Sequence, residues 1–350
     1  MKEAIDIKSL SLAGVTEALA ALSEKPFRAG QIYEWLHARQ AADFDEMTNL
    51  SLSLRARCKE VFEITVLEPV RVLSSRLDGT RKFLFRLKDG NVIESVFMPY
   101  HYGNSVCISS QVGCRMGCRF CASTLDGLVR GLEVSEMLDQ VYRIGKITGE
   151  RISHVVVMGS GEPLDNYENL VGFLKCITDG KGFGLSARNI TISTCGLVPQ
   201  MYRFAEEGIP VTLALSLHAS GDETRRELMP VARKYSLEEV LKACDYYFEK
   251  TGRRISFEYS LVHGVNDTPG EAEELRRLLK GKNCHVNLIP VNPIKERDFR
   301  RGSGAEIVNF KNILEKSGIN VTIRREMGRD IEGACGQLRR SFQSEASSVP

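Results

Sequence analysis

Three cysteines, Cys114, Cys118 and Cys121, fall within the stretch CRMGCRFC. Thiolates this close together are metal ligands in a chain whose other features place it in a reducing compartment. A closed structural zinc site takes four ligands, and ferredoxin-type iron–sulfur sites use four cysteines. Three cysteines therefore leave one metal position without a protein donor, and an open position is where substrate chemistry happens. Cys107, upstream of the cluster, could instead complete a zinc site, and the spacing leaves that alternative open. Five further cysteines, Cys58, Cys176, Cys195, Cys244 and Cys284, stand alone in apolar or helical patterns and read as small buried hydrophobes. Cys335, flanked by Gly333 and Gly336, reads as part of an irregular loop.

The elements that must position these residues follow from periodicity. GVTEALAAL, FRAGQIYEWLHA and FDEMTNLSLSLRARCKEVF carry apolar residues at helical spacing. RKFLFRLKDGNVIESVFMP places Asp89-Gly90 between two alternating runs, a hairpin signal. From SVCISS onward, β-rich runs (HVVVMG, NITIST, VTLALSLHA, ISFEYSLVHG, HVNLIPVNP, NVTIRRE) alternate with helical ones. That alternation predicts an α/β fold, a parallel sheet with helices outside, curved into a partial barrel whose active site lies at the C-terminal ends of the strands. The expected organisation is a helical accessory domain at 1–65, a β-hairpin extension at 66–103, the barrel at 104–342 and a frayed tail at 343–350.

Composition sets the outer bounds. With 350 residues, 43% apolar and 26% charged, the chain has the make-up of a globular protein rather than a disordered or membrane one. No apolar run reaches the ~18 residues of a membrane span, and MKEAIDIKSLSLAG lacks the pattern of a signal peptide, so a cytoplasmic location is expected. A net charge of +2 does not by itself point to nucleic acid. The basic groups Arg297, Arg300 and Arg301, then Arg324, Arg325 and Arg329, then Arg339 and Arg340 lie near or beyond strand ends, and none is assigned as a site.

CxxxCxxC with Phe120 before its last cysteine resembles the signature of the radical S-adenosylmethionine enzymes, and MGSGEPLDN after a β-rich run resembles their Gly-Glu motif. The resemblance extends in order over nearly the whole chain. KPFRAGQIYEWL, FDEMTNLSLSLR, CISSQVGCRMGCRFC, GSGEPLDNYENL, ITISTCGLVP, SLHA, LVHGVND, NLIPVNP and DIEGACGQL are similar to the RlmN family of adenosine-C2 RNA methyltransferases. One departure is Ser160, where that family usually has methionine.

The resemblance implies a radical partial (β/α)6 barrel with one [4Fe-4S] cluster on Cys114, Cys118 and Cys121. Two S-adenosylmethionine molecules would be consumed per turnover, with Gly161, Glu162, Ser193, Ser216, Leu217, His218 and Asn292 binding that cofactor. It further implies that Cys335 carries a methyl group as an S-methylcysteine, that Glu94 accepts a proton, and that Cys107 resolves the covalent RNA adduct through a transient disulfide with Cys335. Such a relay suits the chemistry, because adenine C2 is too electron-poor to attack a methyl sulfonium directly. The implied partners are 23S ribosomal RNA, some transfer RNAs at the adenosine beside the anticodon, and an electron donor such as flavodoxin or ferredoxin. A monomer with no membrane association is expected. Two alternatives stand beside this reading: a Cfr-type adenine-C8 methyltransferase, and a non-catalytic zinc-containing RNA-binding protein.

Overall fold

The computed structural model describes residues 4–292 and 298–331. Its N-terminal part is built from α1 (Leu12–Ala20), α2 (Pro26–His37) and α3 (Leu52–Val61). Ser11 and Ser51 cap α1 and α3 by accepting from Gly14 N and Leu54 N, and Pro26 opens α2 where a missing N–H costs nothing. The helical pattern of FDEMTNLSLSLR resolves into a short 3-10 turn, Phe44–Glu46, followed by α3. The reason is local: Asp43 and Glu46 form a capping box, and Ser51 then starts a new helix. Val15, Leu19, Ile32, Tyr33, Leu36, Phe44 and Leu54 bury against one another as a separate small core.

The rest is organised on one ten-stranded sheet. Its strands are β1 (Glu68–Ser74), β2 (Arg81–Arg86), β3 (Val92–Tyr100), β4 (Gly103–Ile108), β5 (Ile152–Val157), β6 (Ile190–Thr194), β7 (Thr212–Ser216), β8 (Ile255–Leu261), β9 (Cys284–Pro290) and β10 (Asn320–Ile323), adjacent in chain order. Neighbours are antiparallel from β1 to β4 and parallel from β4 to β10. The hairpin expected at Asp89-Gly90 joins β2 to β3, with Gly90 at φ +84° in the left-handed region the turn requires. It extends the barrel sheet directly through the β3–β4 pair.

Each parallel crossover carries a helix, as parallel strands require: α4 (Val134–Thr148), α5 (Tyr167–Thr178), α6 (Val198–Glu206), α7 (Asp222–Leu228), α8 (Leu237–Thr251), α9 (Pro269–Leu279) and α10 (Gly304–Glu315). Val155, Ile192, Leu213, Leu215, Phe257 and Val286 of the strands join Leu138, Leu170, Phe204 and Leu275 of the helices in one continuous core. No described helix is long and apolar enough to cross a membrane.

A buried ion pair ties the two cores. Lys8 Nζ lies 2.7 Å from Asp139 Oδ1 on α4, both side chains almost fully enclosed, and Asp139 Oδ2 accepts from Leu67 N at 2.7 Å. Lys8 also donates to the Thr65 carbonyl. Removing one member strands a buried charge, so Asp139→Ala is expected to lower unfolding free energy by about 3–5 kcal/mol. Chemical denaturation checks this, and the paired change Lys8→Met with Asp139→Leu should recover most of the loss.

Candidate active site

The cysteine loop leaves the C-terminal end of β4. Its base is a short antiparallel ribbon, Gln111–Gly113 with Leu128–Gly131, and Cys114 N donates to Gly127 O at 2.9 Å. Gly113 makes this closure possible: at φ +77°, an added Cβ would lie 2.0 Å from the Gly127 carbonyl oxygen. Within the loop Thr124 Oγ1 donates to the Cys118 and Cys121 carbonyls, and Arg119 N donates to Leu228 O at the C-terminal end of α7.

Cys114 and Cys118 are buried and Cys121 is half-buried; Cys118 and Cys121 pack among Met116, Phe120, Cys195, Leu228, Met229 and Phe299. Burial pushes the Cys114 thiol up to about 12 and the Cys118 thiol well above its ordinary value, with Cys121 and Cys114 adding to the latter. Thiols so placed resist ionising alone, whereas a bound metal reverses that preference by supplying positive charge. Backbone N–H groups already face two of the sulfurs, Met116 toward Cys114 and Ser123 and Thr124 toward Cys121. This donor set fits a [4Fe-4S] cluster held by three thiolates. Cys107 faces different groups, Arg324, Glu94 and Lys82, rather than the three cysteines, which removes support from the four-cysteine zinc alternative.

The loop after β5 packs directly on the start of the cysteine loop. Gly159 N donates to Ile108 O at 2.9 Å, and a Cβ on Gly159 would sit 2.7 Å from that oxygen. Gly161 adopts φ +109°, where a Cβ would lie 2.6 Å from Gln111 Cβ. Glu162 is buried, and its carboxylate accepts from Leu164 N at 3.0 Å and Cys195 N at 2.8 Å, joining the β5 and β6 loops. Desolvation pushes the Glu162 carboxyl up, opposed by those donors. Ser160 is buried with Oγ 3.5 Å from Gly113 O, and the methionine of this segment that reaches the concavities is Met158.

Beside Cys121 a concavity is lined by Phe120, Met158, Ser193, Ser216, His218, Glu258 and Asn292, among others. Leu217 differs from its neighbours: its side chain is in the core, and only its backbone joins the loop network, with N donating to Glu258 O. His218 is buried in the left-handed region at φ 57°. Its Nδ1 accepts from Ser260 N at 2.9 Å, and burial holds its pKa at about 3, so the ring is neutral with its proton on Nε2. Phe120 meets it edge-on at 4.6 Å between centroids.

A second concavity shares Met158, Ile289, Asn292 and Arg324 with the first and is lined by Glu94, Val96, Met98 and Cys107. Alternation along β3 puts Glu94, Val96 and Met98 on one face, and Cys107 is the register partner of Val96. Lys82 Nζ lies 3.3 Å from Glu94 Oε2, both buried, and the Glu94 carbonyl accepts from Ser109 Oγ. Burial raises the Cys107 thiol, opposed by Arg324. Cys335, Arg297, Arg339 and Arg340 lie outside the described residues. Arg324 and Arg325 line this concavity, while Arg301 pairs with Glu326 at 3.1 Å.

Glu258 and Arg324 were not identified as site residues from sequence. Glu258 carried a readable signal, a carboxylate between Ser256 and Ser260 on alternate positions of the apolar run ISFEYSL. Its carboxylate accepts from Asn287 Nδ2 at 2.8 Å and Ser256 Oγ at 3.0 Å. Arg324 stood out only as one of several basic residues near strand ends, and its side chain reaches the site because β10 closes against β9.

Cysteines in a loop after the first parallel strand, with glycine-lined strand ends around them, define a radical S-adenosylmethionine enzyme, and residues 108–279 match the Radical SAM superfamily. Residues 5–64 match the ribosomal RNA large subunit methyltransferase N-terminal domain. The chain is 63% identical over 340 residues to a probable dual-specificity RNA methyltransferase RlmN of Lachnoclostridium phytofermentans, covering 97% of this chain and 96% of the relative. It is 62% identical to the protein of that description from Lachnospira eligens, covering 97% of each. A crystal structure of a radical SAM methyltransferase from Sphaerobacter thermophilus superposes with a TM-score of 0.91 at 44% identity, covering 95% of this chain and 98% of that one. The chain belongs to the RlmN family of radical S-adenosylmethionine RNA methyltransferases.

Proposed function

We propose that the enzyme methylates C2 of an adenosine in 23S ribosomal RNA, and the adenosine beside the anticodon in some transfer RNAs, through an S-methylcysteine on Cys335. The dual-specificity description of its relatives supports both substrates. One observation carries the reading: Glu94 and Cys107 share a concavity that adjoins, through Met158, Ile289, Asn292 and Arg324, the one beside Cys121.

When bound, the cluster and S-adenosylmethionine supply a carbon radical that no side chain can generate. The chain's own groups do the rest. Ser193, Ser216, His218 and Asn292 bind the cofactor in the concavity beside Cys121, with Gly161 allowing the close approach of the β5 loop and Glu162 fixing that loop. Leu217 contributes through its backbone alone. Cys335 accepts the methyl group as a nucleophile and later holds the base covalently. Glu94 takes the proton lost from the adduct, held in place by Lys82. Cys107 attacks the sulfur of Cys335, whose bond to the base-borne methylene breaks with the electron pair going to that carbon; protonation there completes the methyl group and frees the RNA, leaving a disulfide that cellular thiols reopen in the reducing cytoplasm. A flavodoxin or ferredoxin supplies electrons, and the N-terminal helices recognise RNA shape while the target base is held unstacked.

Release is the step most readily isolated. Cys107→Ala is expected to accumulate an RNA–protein adduct resistant to denaturants, seen as a shifted band on a denaturing gel that nuclease collapses. Free, methylated RNA formed by this variant at the wild-type rate would contradict the assignment.

A further inference from the structure

Arg225, on α7, is completely buried, at 0% exposure. Its Nη2 donates to Cys195 O at 2.8 Å and reaches Ser216 O at 3.5 Å, and its Nε donates to Leu217 O at 3.2 Å. Nη1 has no hydrogen-bond partner, and no carboxylate pairs with this side chain among the described residues. A guanidinium stays protonated in proteins, and an enclosed charge without a counter-charge is strongly disfavoured. Carbonyl dipoles satisfy three contacts, and Asp222 on the same helix acts on the guanidinium electrostatically but makes no ion pair with it, its carboxylate accepting from Leu237 N at 2.8 Å.

What lies nearby is sulfur. Arg225 holds the Cys195 carbonyl at 2.8 Å, and Cys195 packs with Cys118 and with Leu228 of the same helix α7 in one buried cluster. The contact network is continuous with the cysteine loop, since Arg119 N donates to Leu228 O at the C-terminal end of α7. Neutral thiols would not balance a guanidinium. An iron–sulfur cube on three thiolates would, because the assembly is net negative and becomes more so by one charge when reduced.

We propose that Arg225 is the built-in counter-charge of the cluster: it shifts the one-electron couple toward the reduced form while holding together the carbonyls of the β6 and β7 loops. The inference rests on the cluster being carried by Cys114, Cys118 and Cys121. The only redox step is transfer of one electron from a low-potential donor protein, or from dithionite in vitro, to the oxidised cluster. A fixed positive charge nearby lowers the energy of the more negative product, so the same donor reduces a larger fraction. Arg225 touches no reacting atom in this account and is a positioning and tuning residue.

The test uses the full-length, anaerobically reconstituted enzyme and two substitutions that separate charge from geometry. R225Q keeps a donor for the carbonyls but no charge, and R225K keeps the charge but loses the planar fork. Iron and sulfide content is measured first, then the cluster midpoint by EPR-monitored titration with dithionite in the absence of RNA. The expected result is a midpoint for R225Q at least 59 mV more negative than wild type, a tenfold loss of reduced cluster at fixed poise, with R225K closer to wild type. Failure of R225Q to retain iron while R225K retains it would equally support a charge role. Equal midpoints in wild type and R225Q, equal midpoints in R225K and R225Q, or loss of iron from both variants would overturn the proposal. Absence of iron from wild type would instead refute the cluster assignment itself.

Discussion

Cys118→Ala is expected to yield a folded protein that does not retain its iron and methylates RNA only at background level. Cys118 sits in the apolar pocket between the cysteine loop and the end of α7, with the other two thiols raising its pKa. Cys107 faces the Glu94 concavity, and the neighbouring Cys195 has its backbone held between Glu162 and Arg225. Even outer-shell partners of a metal cost about 10–100-fold in affinity or activity when removed, and loss of a ligand should exceed that range. Iron analysis and absorbance of the anaerobic protein, read beside thermal unfolding, separate loss of the cluster from loss of the fold. A Cys118→Ala protein that keeps full iron and methylates RNA would contradict the site.

Gly161→Val is expected to be nearly as damaging by a different route. At φ +109° any side chain is strained, and here the Cβ would lie 2.6 Å from Gln111 Cβ and 2.7 Å from Ser110 Oγ. The β5 loop would have to withdraw from the β4 loop, dragging Glu162 from its bond to Cys195 N. Misplacement of about 1 Å in a catalytic constellation can cost on the order of 100-fold, and a loss of that size in methylation is expected with the global fold intact. Gly149→Ala provides the contrast. That glycine is also left-handed, at φ +69°, but meets nothing within 4 Å, so the change should cost about 1–2 kcal/mol of stability and leave activity near wild type. Equal activity losses in the two variants would show that close packing of the β4 and β5 loops is not what matters.

Strand–helix alternation after SVCISS was legible because parallel strands must be separated by crossovers, and the structure places those runs side by side in chain order. The hairpin at Asp89-Gly90 was equally legible from its turn chemistry, although nothing in the sequence said that its strands would extend the barrel sheet through β4. Ser193, Ser216, His218 and Asn292 fall at or just beyond strand ends, so a shared concavity follows from topology. Leu217 shows the limit of transferring a run of residues as a unit: alternation turns its side chain into the core while its neighbours face the pocket. Cys195 read as an ordinary buried thiol, and its burial is real, but its backbone is the hinge point between Glu162 and Arg225. Arg225 itself was invisible, since either of the two adjacent arginines in DETRREL looks like any helix-surface charge until the fold encloses one of them.

The most direct test of the radical-relay account is incubation of the reconstituted enzyme with unmodified 23S ribosomal RNA, S-adenosylmethionine and a one-electron reductant, followed by mass spectrometry of the nucleosides. The account predicts 2-methyladenosine together with 5′-deoxyadenosine, and neither when Cys335 is replaced by alanine. Formation of 8-methyladenosine in place of the C2 product, or methylated RNA without any 5′-deoxyadenosine, would contradict it.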